Sequence, residues 1–420
     1  MHILFLTDNF PPEVNAPASR TFEHCRAWVL AGHSVTVITC VPNFPTGKVF
    51  KGYKNRLWRR ETVDGLTVIR VWSYISANEG FLRRTLDYVS YMVSAILASP
   101  FIRDVDVVVA TSPHFFTACA GYVAAVMHQR PFVFELRDLW PESIRAVGAM
   151  RDGWVLRLLE RLELFLYRRA AAVVSVTHSF KSNLVARGID GDKIFVVTNG
   201  ADLTRFGPRS RDVKVARQLG LEQGAFVAGY VGTHGMAHGL ETLLEAARLL
   251  QDQAAGARVR ILFLGDGAAK SSLKVHADAL GLKNVLFVDT VPRDEVARYW
   301  SLLDVSIIHL KRDELFTTVI PSKLFECMAM GIPVLHGVAG ESALIVEREQ
   351  VGIVFEPENA EQLAMSILDL ERADNVRAAY AARGVQAARS YNRDDLAASM
   401  LRALQSVVDD SGAERRAGIM

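Results

Sequence analysis

Apolar residues fall along this chain in two alternating rhythms. Short β-branched runs recur, and between them lie longer stretches whose apolar positions are spaced three and four apart. In the first half the runs Ile3–Leu6, Val35–Thr39, Val68–Trp72, Val105–Ala110, Phe132–Glu135, Ala172–Val176 and Phe195–Thr198 read as strands. In the second half Val227–Val231, Arg260–Leu264, Val285–Val288, Val305–His309, Val334–Leu335 and Ile353–Phe355 do the same. The runs are near-continuous rather than alternating, as in parallel strands covered by helices on both faces. Two such series predict an α/β protein with two Rossmann-like, doubly wound parallel-sheet domains facing a cleft. The polar, turn-rich stretch FGPRSRD, Phe206–Asp212, follows a finished strand and marks a break. The expected organisation is a first domain over 1–207 and a second over 208–390. A helix over 391–410 then crosses back to the first domain, and 411–420 is a loose tail.

Composition narrows the class. A chain of 420 residues exceeds one ordinary core and suits two domains. Half of the residues are hydrophobic and 22% are charged, which excludes a disordered chain. A net charge of +2 gives no global signal for a polyanion, and no nucleic-acid fold is recognisable. Cys25, Cys40, Cys119 and Cys327 sit among apolar neighbours without a CxxC, so they read as reduced core thiols, not zinc ligands. The start, MHILFLTD, reads as a strand rather than a signal peptide. No run reaches the roughly 18 apolar residues of a membrane span. The expected location is cytoplasmic.

Candidate chemistry lies in the loops that follow strands, where open parallel sheets bind ligands. In YVGTHGMAHGLETLLEAA, Tyr230–Ala247, a strand runs into Gly232, His234, Gly235 and Gly239 and then an amphipathic helix. Glycines admit close backbone approach, and a helix start offers N–H groups to phosphate. A glycine turn with no ligand would look the same. In LGDGAAKSSLK, Gly265, Asp266 and Gly267 end the next strand, with Lys270 one turn into a helix. Val291 follows the strand after that. In PSKLFECMAMGIPVL, Pro321 opens a helix that Gly331 and Pro333 close. That helix is apolar nearly all round and therefore buried. Ser322, Lys323 and Glu326 form a charged stripe at its start, beside Leu324. The plain account is a structural Lys–Glu pair. The alternative is a ligand that is anionic at one end and rich in hydroxyls at the other. The first-turn N–H groups and Lys323 would hold its phosphate, and Glu326 a ribose diol. Three such strand ends point to a nucleoside diphosphate.

These motifs, in this order and spacing, resemble the retaining glycosyltransferases of family 4 with the GT-B fold. That family carries G-x-x-x-x-x-K-G, then GDG, then E-x7-E-A-M-A-x-G-x-P. Gly232–Gly239, GDG and ECMAMGIPV match them, and TNGADLTRF, Thr198–Phe206, resembles the segment before the domain linker. RDLWPES, PNFPTGK and VIPSKLFE resemble the L-fucosamine transferase-like group of bacterial surface-polysaccharide synthesis. Thr233 and His238 stand where the family has basic residues, and Thr318 where it has the first glutamate. Phosphate neutralisation is therefore expected from Lys323, Lys270 and backbone N–H groups, and Asp313 or Glu314 is a candidate replacement for the carboxylate.

The resemblance assigns the acceptor to the first domain. Asn15 lies in the loop after the first strand, where the family often has paired glycines, with Arg20 beyond it. Arg137 stands about where the family places a histidine facing the donor sugar. With Asp138, Glu142 and Trp140 it forms the polar group expected beside the chemistry; loop packing explains Trp140 equally. His114 follows another strand and is a further candidate, although a lone histidine is more often structural. GKVFKGYKNRLWRR, Gly47–Arg60, mixes Lys48, Arg59 and Arg60 with aromatics. FLRRTLDYVSYMVSAILASPFIR, Phe81–Arg103, puts Arg83 and Arg84 before a long apolar stretch. Basic residues with interfacial aromatics suit an anionic membrane surface; a solvated charge run and a core helix are the plainer account.

The reading is a metal-independent, retaining glycosyltransferase that needs no cofactor. It moves a sugar, an N-acetylated amino sugar, from a UDP-sugar to a polyprenyl diphosphate-linked saccharide for O-antigen, capsule or exopolysaccharide. The protein then sits peripherally on the cytoplasmic face of the inner membrane. Two rivals remain, a UDP-sugar epimerase on the same fold and a non-enzymatic sugar-nucleotide sensor.

Overall fold

A computed structural model describes residues 1–44, 47–75, 81–140, 153–292 and 294–416, excluding the side chains of 81, 82 and 414–416. The chain divides into two compact units, Met1–Thr198 with Arg393–Met420, and Asn199–Asn392.

The first unit holds β1 His2–Leu6, β2 Ser34–Cys40, β3 Trp58–Val63, β4 Leu66–Val71, β5 Val107–Thr111, β6 Phe132–Leu136, β7 Ala172–Ser175 and β8 Ile194–Val196. They form one sheet in the order β3-β4-β2-β1-β5-β6-β7-β8. Helices α1 Ala16–Leu30, α2 Phe81–Ala98, α3 Phe115–His128, α4 Trp154–Arg169 and α5 His178–Ala186 alternate with the strands. Strand β3 is the one the apolar pattern does not predict. It pairs antiparallel with β4 at the sheet edge and is polar, WRRETV. Its turn, Asp64–Gly65, has positive φ at both residues, 47° and 83°. That Asp-Gly pair is the sequence signal for a two-residue hairpin.

The second unit begins with α6 Val213–Gln218 and β9 Phe226–Val231, followed by α7 Glu241–Gln251, β10 Val259–Leu264, α8 Lys270–Ala279 and β11 Val285–Val288. Then come α9 Val296–Trp300, β12 Val305–His309, α10 Lys323–Met330, β13 Val334–Gly337, α11 Glu341–Glu349, β14 Gly352–Val354, α12 Ala360–Arg372 and α13 Asp374–Ala388. The strand order is β11-β10-β9-β12-β13-β14, and every pairing is parallel. Both faces of β9 are buried. Phe226, Ala228 and Tyr230 enter one core and Val227 and Val231 the other, which is why the run reads as apolar without alternation. Ala201 and Phe206 are buried in this unit, so FGPRSRD lies inside it.

Helix α14, Arg393–Arg416, returns to the first unit. Met400 and Leu404 are fully buried there, and the Trp28 indole N–H of α1 donates to Ala397 O at 2.8 Å. Among the described residues no helix is long and apolar enough to cross a membrane. Cys25, Cys40 and Cys327 are buried free thiols, and Cys119 is half-buried.

The sheet order locates the sites. Strand β1 lies between β2 and β5, and β9 between β10 and β12. At each of these places successive strands leave in opposite directions, and loops diverge to open a crevice at the carboxyl ends.

Candidate active site

In the second unit the glycine loop after β9 is fixed by the loop after β10. Gly232 N donates to Leu264 O, His234 N to Asp266 O and Ala269 N to His234 O, each at 2.9 Å. The approach is too close for side chains. A Cβ on Gly265, at φ +140°, would lie 2.0 Å from Gly232 O, and one on Gly267 2.5 Å from His234 O. The end of β12 closes the loop from the other side. His309 Nδ1 donates to His238 O at 2.7 Å while its Nε2 accepts from Glu358 N at 2.9 Å, which fixes the tautomer. Lys311 N donates to Ala237 O at 2.9 Å.

The first turn of α10 lies under this loop. Lys323 Nζ is buried and, among the described residues, has no hydrogen-bond partner. It sits 3.7 Å above the centre of the Tyr230 ring. A Cβ on Gly232 would lie 2.9 Å from it. Burial pushes the Lys323 ammonium down to about 7, against the opposing charge of Glu326. No hydrogen-bonded Lys–Glu pair therefore accounts for the stripe. Glu326 is half-buried one turn further on, facing the same way by helical spacing. Burial, with the nearby cations, holds His234 down to about 4 and His238 to about 3, so both are neutral.

Other expected donor residues take different places. Lys270 is a correction. Its ammonium donates to Gly265 O at 2.7 Å and Val288 O at 3.3 Å and pairs with Asp289, so it ties two strand ends and has no donor to spare. Leu324 is fully buried in the core, and Val291 packs against that same core. The His234 ring is buried, 5.9 Å from Tyr230 and 6.0 Å from Phe263; its backbone, not its imidazole, shapes the loop. Asp266 is exposed and accepts from Gly267 N at 2.8 Å. Gly235 O accepts from His238 N at 3.0 Å, and Ser322 precedes α10 without a side-chain cap bond. Thr318 donates to Leu315 O at 2.6 Å, Asp313 accepts from Leu315 N at 2.9 Å, and Glu314 is exposed.

In the first unit the loops after β1 and β5 meet. Ala18 N donates to Asn15 Oδ1, Asn15 Nδ2 to Asn9 Oδ1 at 2.8 Å, and Asn9 Nδ2 to His114 Nε2 at 3.0 Å. Burial lowers the His114 imidazole pKa, against the opposing charge of Asp8. Asp8 Oδ2 lies 3.2 Å from the same nitrogen. Asp8 and Asn9 lie in the same stretch after the first strand as Asn15, TDNFPPEVNAPASR. Arg137 is wedged beside this cluster, its N–H on Ser112 Oγ at 2.8 Å and its guanidinium on Pro17 O at 3.2 Å; burial lowers it to about 10. Asp138 N shares Ser112 Oγ at 3.2 Å. Trp140 stacks on Phe115 at 4.5 Å. Glu142 lies outside the described residues. Arg20 is a second correction. It is 3% exposed and donates to Glu135 at 3.0 Å, Thr198 O at 2.7 Å and Val197 O at 2.9 Å, which makes it a buried strut and not an acceptor contact.

The basic segments also become concrete. Lys48, Arg60, Arg83 and Arg84 are exposed, and Arg84 Nε donates to Tyr88 OH at 2.6 Å. Arg59 is half-buried, paired with Glu61 at 3.2 Å and 5.0 Å from the Tyr53 ring. Trp58 at the start of β3 touches Phe101 beyond α2, with ring centres 6.0 Å apart, so the two segments meet.

Similarity to known proteins follows the same division. Residues 15–200 match the family described as "Glycosyl transferase 4-like domain", and residues 214–387 match "Glycosyl transferases group 1". A putative colanic acid biosynthesis glycosyl transferase of Escherichia coli, WcaI, is 25% identical over 397 residues, covering 91% of this chain and 96% of that protein. The D-inositol 3-phosphate glycosyltransferase of Corynebacterium urealyticum is 25% identical, covering 67% of this chain and 70% of its own. Among solved structures, sucrose-phosphate synthase of Thermosynechococcus elongatus superposes with a TM-score of 0.77 at 16% identity, covering 97% and 99% of the two chains. HepE of Anabaena, in complex with UDP and glucose, gives 0.73 at 17%, covering 96% and 99%.

Proposed function

The chain belongs to the family 4 glycosyltransferases with the GT-B fold, and we propose that it moves an N-acetylated amino sugar from a UDP-sugar to a lipid-linked saccharide during synthesis of a bacterial surface polysaccharide. The observation that carries the donor half is Lys323, a buried ammonium under a glycine loop with no hydrogen-bond partner among the described residues. A buried polar group without a partner is costly, and a site retains one when a ligand supplies the partner. The HepE complex with UDP supports a uridine nucleotide. The WcaI relative supports surface polysaccharide as the product class.

In this reading the bond between the anomeric carbon and the diphosphate breaks with its electron pair on the diphosphate. Lys323 stabilises the growing charge. The acceptor hydroxyl adds from the face the diphosphate leaves, its proton passes to the departing phosphate, and configuration is retained. Glu326 holds the ribose diol. Glu326→Gln weakens UDP binding, since charge-assisted hydrogen bonds contribute about 1.5–3 kcal/mol each; calorimetry with UDP measures it, and unchanged affinity removes Glu326 from the ribose. The whole reading is tested by incubating the enzyme with UDP-sugars and lipid-linked saccharides and analysing product anomers. Transfer with retention is expected. An epimerised sugar nucleotide, or binding without turnover, overturns it.

The acceptor's membrane is the second element. Helix α2 exposes Leu86, Val93 and Leu97, with Phe101 beyond it and Arg83 and Arg84 at its start. Reversing Arg60, Arg83 and Arg84 to glutamate is expected to release the protein from anionic vesicles at low salt, each basic residue being worth about 1 kcal/mol near such a surface. Flotation measures this, and a triple variant that still floats makes the face a merely solvated one.

A further inference from the structure

Three features converge on the Lys323 ammonium. Gly232, at φ +144°, leaves the space that Nζ occupies, since a Cβ there would be 2.9 Å away. Among the described residues Nζ has no hydrogen-bond partner. The Tyr230 ring lies beneath it at 3.7 Å. Tyr230 is itself fully buried at the end of β9, and its hydroxyl donates to Thr233 O at 2.8 Å, one residue past Gly232. One side chain therefore spans the strand end, the glycine loop and the cation from α10. Sequence reading takes Tyr230 as an apolar strand residue, and the donor chemistry described above does not use it.

We propose that Tyr230 is a positioning residue for donor binding, holding the Lys323 ammonium beneath the glycine loop and keeping it protonated until a nucleoside diphosphate arrives. The inference rests on the donor-site reading above. An aromatic face attracts a cation most strongly where water is excluded. Here that attraction, together with the charge of Glu326 on α10, opposes the burial that pushes Lys323 down to about 7. His234 and His238 of the glycine loop and His309 of β12, their pKa values all lowered by burial, face it from the other elements. Only the protonated amine donates to a diphosphate with full charge. Removing the ring therefore lowers the pH above which the amine is neutral and donor affinity falls.

The test is the pH dependence of UDP affinity by calorimetry in wild type, Tyr230→Phe and Tyr230→Leu. The β-phosphate's own ionisation, near pH 6, is common to all three and cancels. Wild type and Tyr230→Phe, which keeps the ring, are expected to share the same alkaline inflection. Tyr230→Leu is expected to match them at acid pH and to bind roughly tenfold more weakly at about pH 8, a shift of about one unit in the inflection. A double variant with Lys323→Met adds nothing further at that pH. Should the leucine variant not fold, fluorinated phenylalanines at position 230 weaken the ring's attraction at nearly constant shape, and the inflection falls with each added fluorine. An equal loss at every pH, or an inflection indifferent to fluorination, overturns the role of Tyr230. Wild-type UDP affinity that Lys323→Met leaves intact overturns the donor site instead.

Discussion

Lys323→Met is expected to lower kcat/KM by about 10²–10³, the cost of removing one preorganised donor from developing transition-state charge. The same change is expected to raise thermal stability. Nζ is buried with no hydrogen-bond partner among the described residues, and such a group costs about 1–3 kcal/mol that a methionine of similar shape does not. Lost activity with gained stability separates a ligand-binding cation from a structural one, since removing a structural cation costs both. The pH dependence gives a second check. The Lys323 pKa is held near 7 when folded and returns to its ordinary, higher value when unfolded. Between those values the unfolded chain binds more protons, so wild-type stability climbs with pH through that window, and the methionine variant lacks this climb. Activity loss is expected in kcat as well as in binding, because charge on the leaving diphosphate is larger in the transition state than in the bound donor. A loss confined to KM leaves Lys323 a binding residue only. Chemical denaturation from about pH 7 to pH 10 and steady-state kinetics with the donor decide the matter.

The parts of this molecule legible in the sequence are those whose requirement is local or steric. Both parallel sheets follow from apolar runs that are buried on two faces, and the C-terminal helix α14 follows from a helical pattern with no strand after it. The glycine loop, GDG and the start of α10 stand out because glycine is demanded where backbones nearly touch, as Gly265 does with Gly232 O. The partners of the long cations are not legible. Lys270 and Lys323 look alike in sequence, each at the start of a helix that follows a strand. One is consumed by two carbonyls and Asp289, and the other is left over an aromatic ring. Backbone carbonyls as acceptors leave no trace in residue type. Tyr230 is hidden for the opposite reason: an aromatic on a buried strand is explained by packing before any contact with α10 is considered. Strand β3 is hidden by its polarity, although Asp64–Gly65 marks the hairpin. Asn15 and His114 fall in loops the sequence singles out, yet Asp8 and Asn9, which meet His114, are ordinary polar residues in the same stretch as Asn15.

Arg20→Met is expected to destabilise the first unit by about 3–5 kcal/mol, the cost of breaking a buried ion pair on one side. Arg20 of α1 reaches Glu135 on β6 and the carbonyls of Val197 and Thr198 beyond β8. It thereby ties a helix to two strands of the sheet. Burial alone would raise the Glu135 carboxyl, but Arg20 and then Arg137 outweigh it and hold the carboxyl below its ordinary value. Glu135 therefore contributes stability at neutral pH that fades as pH falls through the carboxylate range. Without Arg20 that contribution is largely gone, so the gap between wild type and variant is expected to be widest near neutrality and to narrow towards about pH 4. Removing both charges, Arg20→Met with Glu135→Leu, is expected to restore most of the loss, because a buried pair replaced by apolar residues of similar volume is often neutral or better. UDP affinity is expected to survive in the folded single variant, since Gly232, Lys323 and Glu326 belong to the second unit. An acceptor-binding arginine behaves in the opposite way. Its removal costs turnover, leaves the melting transition in place and gains nothing from the second change at Glu135. Thermal unfolding of the single and double variants across pH, alongside transfer assays, distinguishes a strut from a substrate contact.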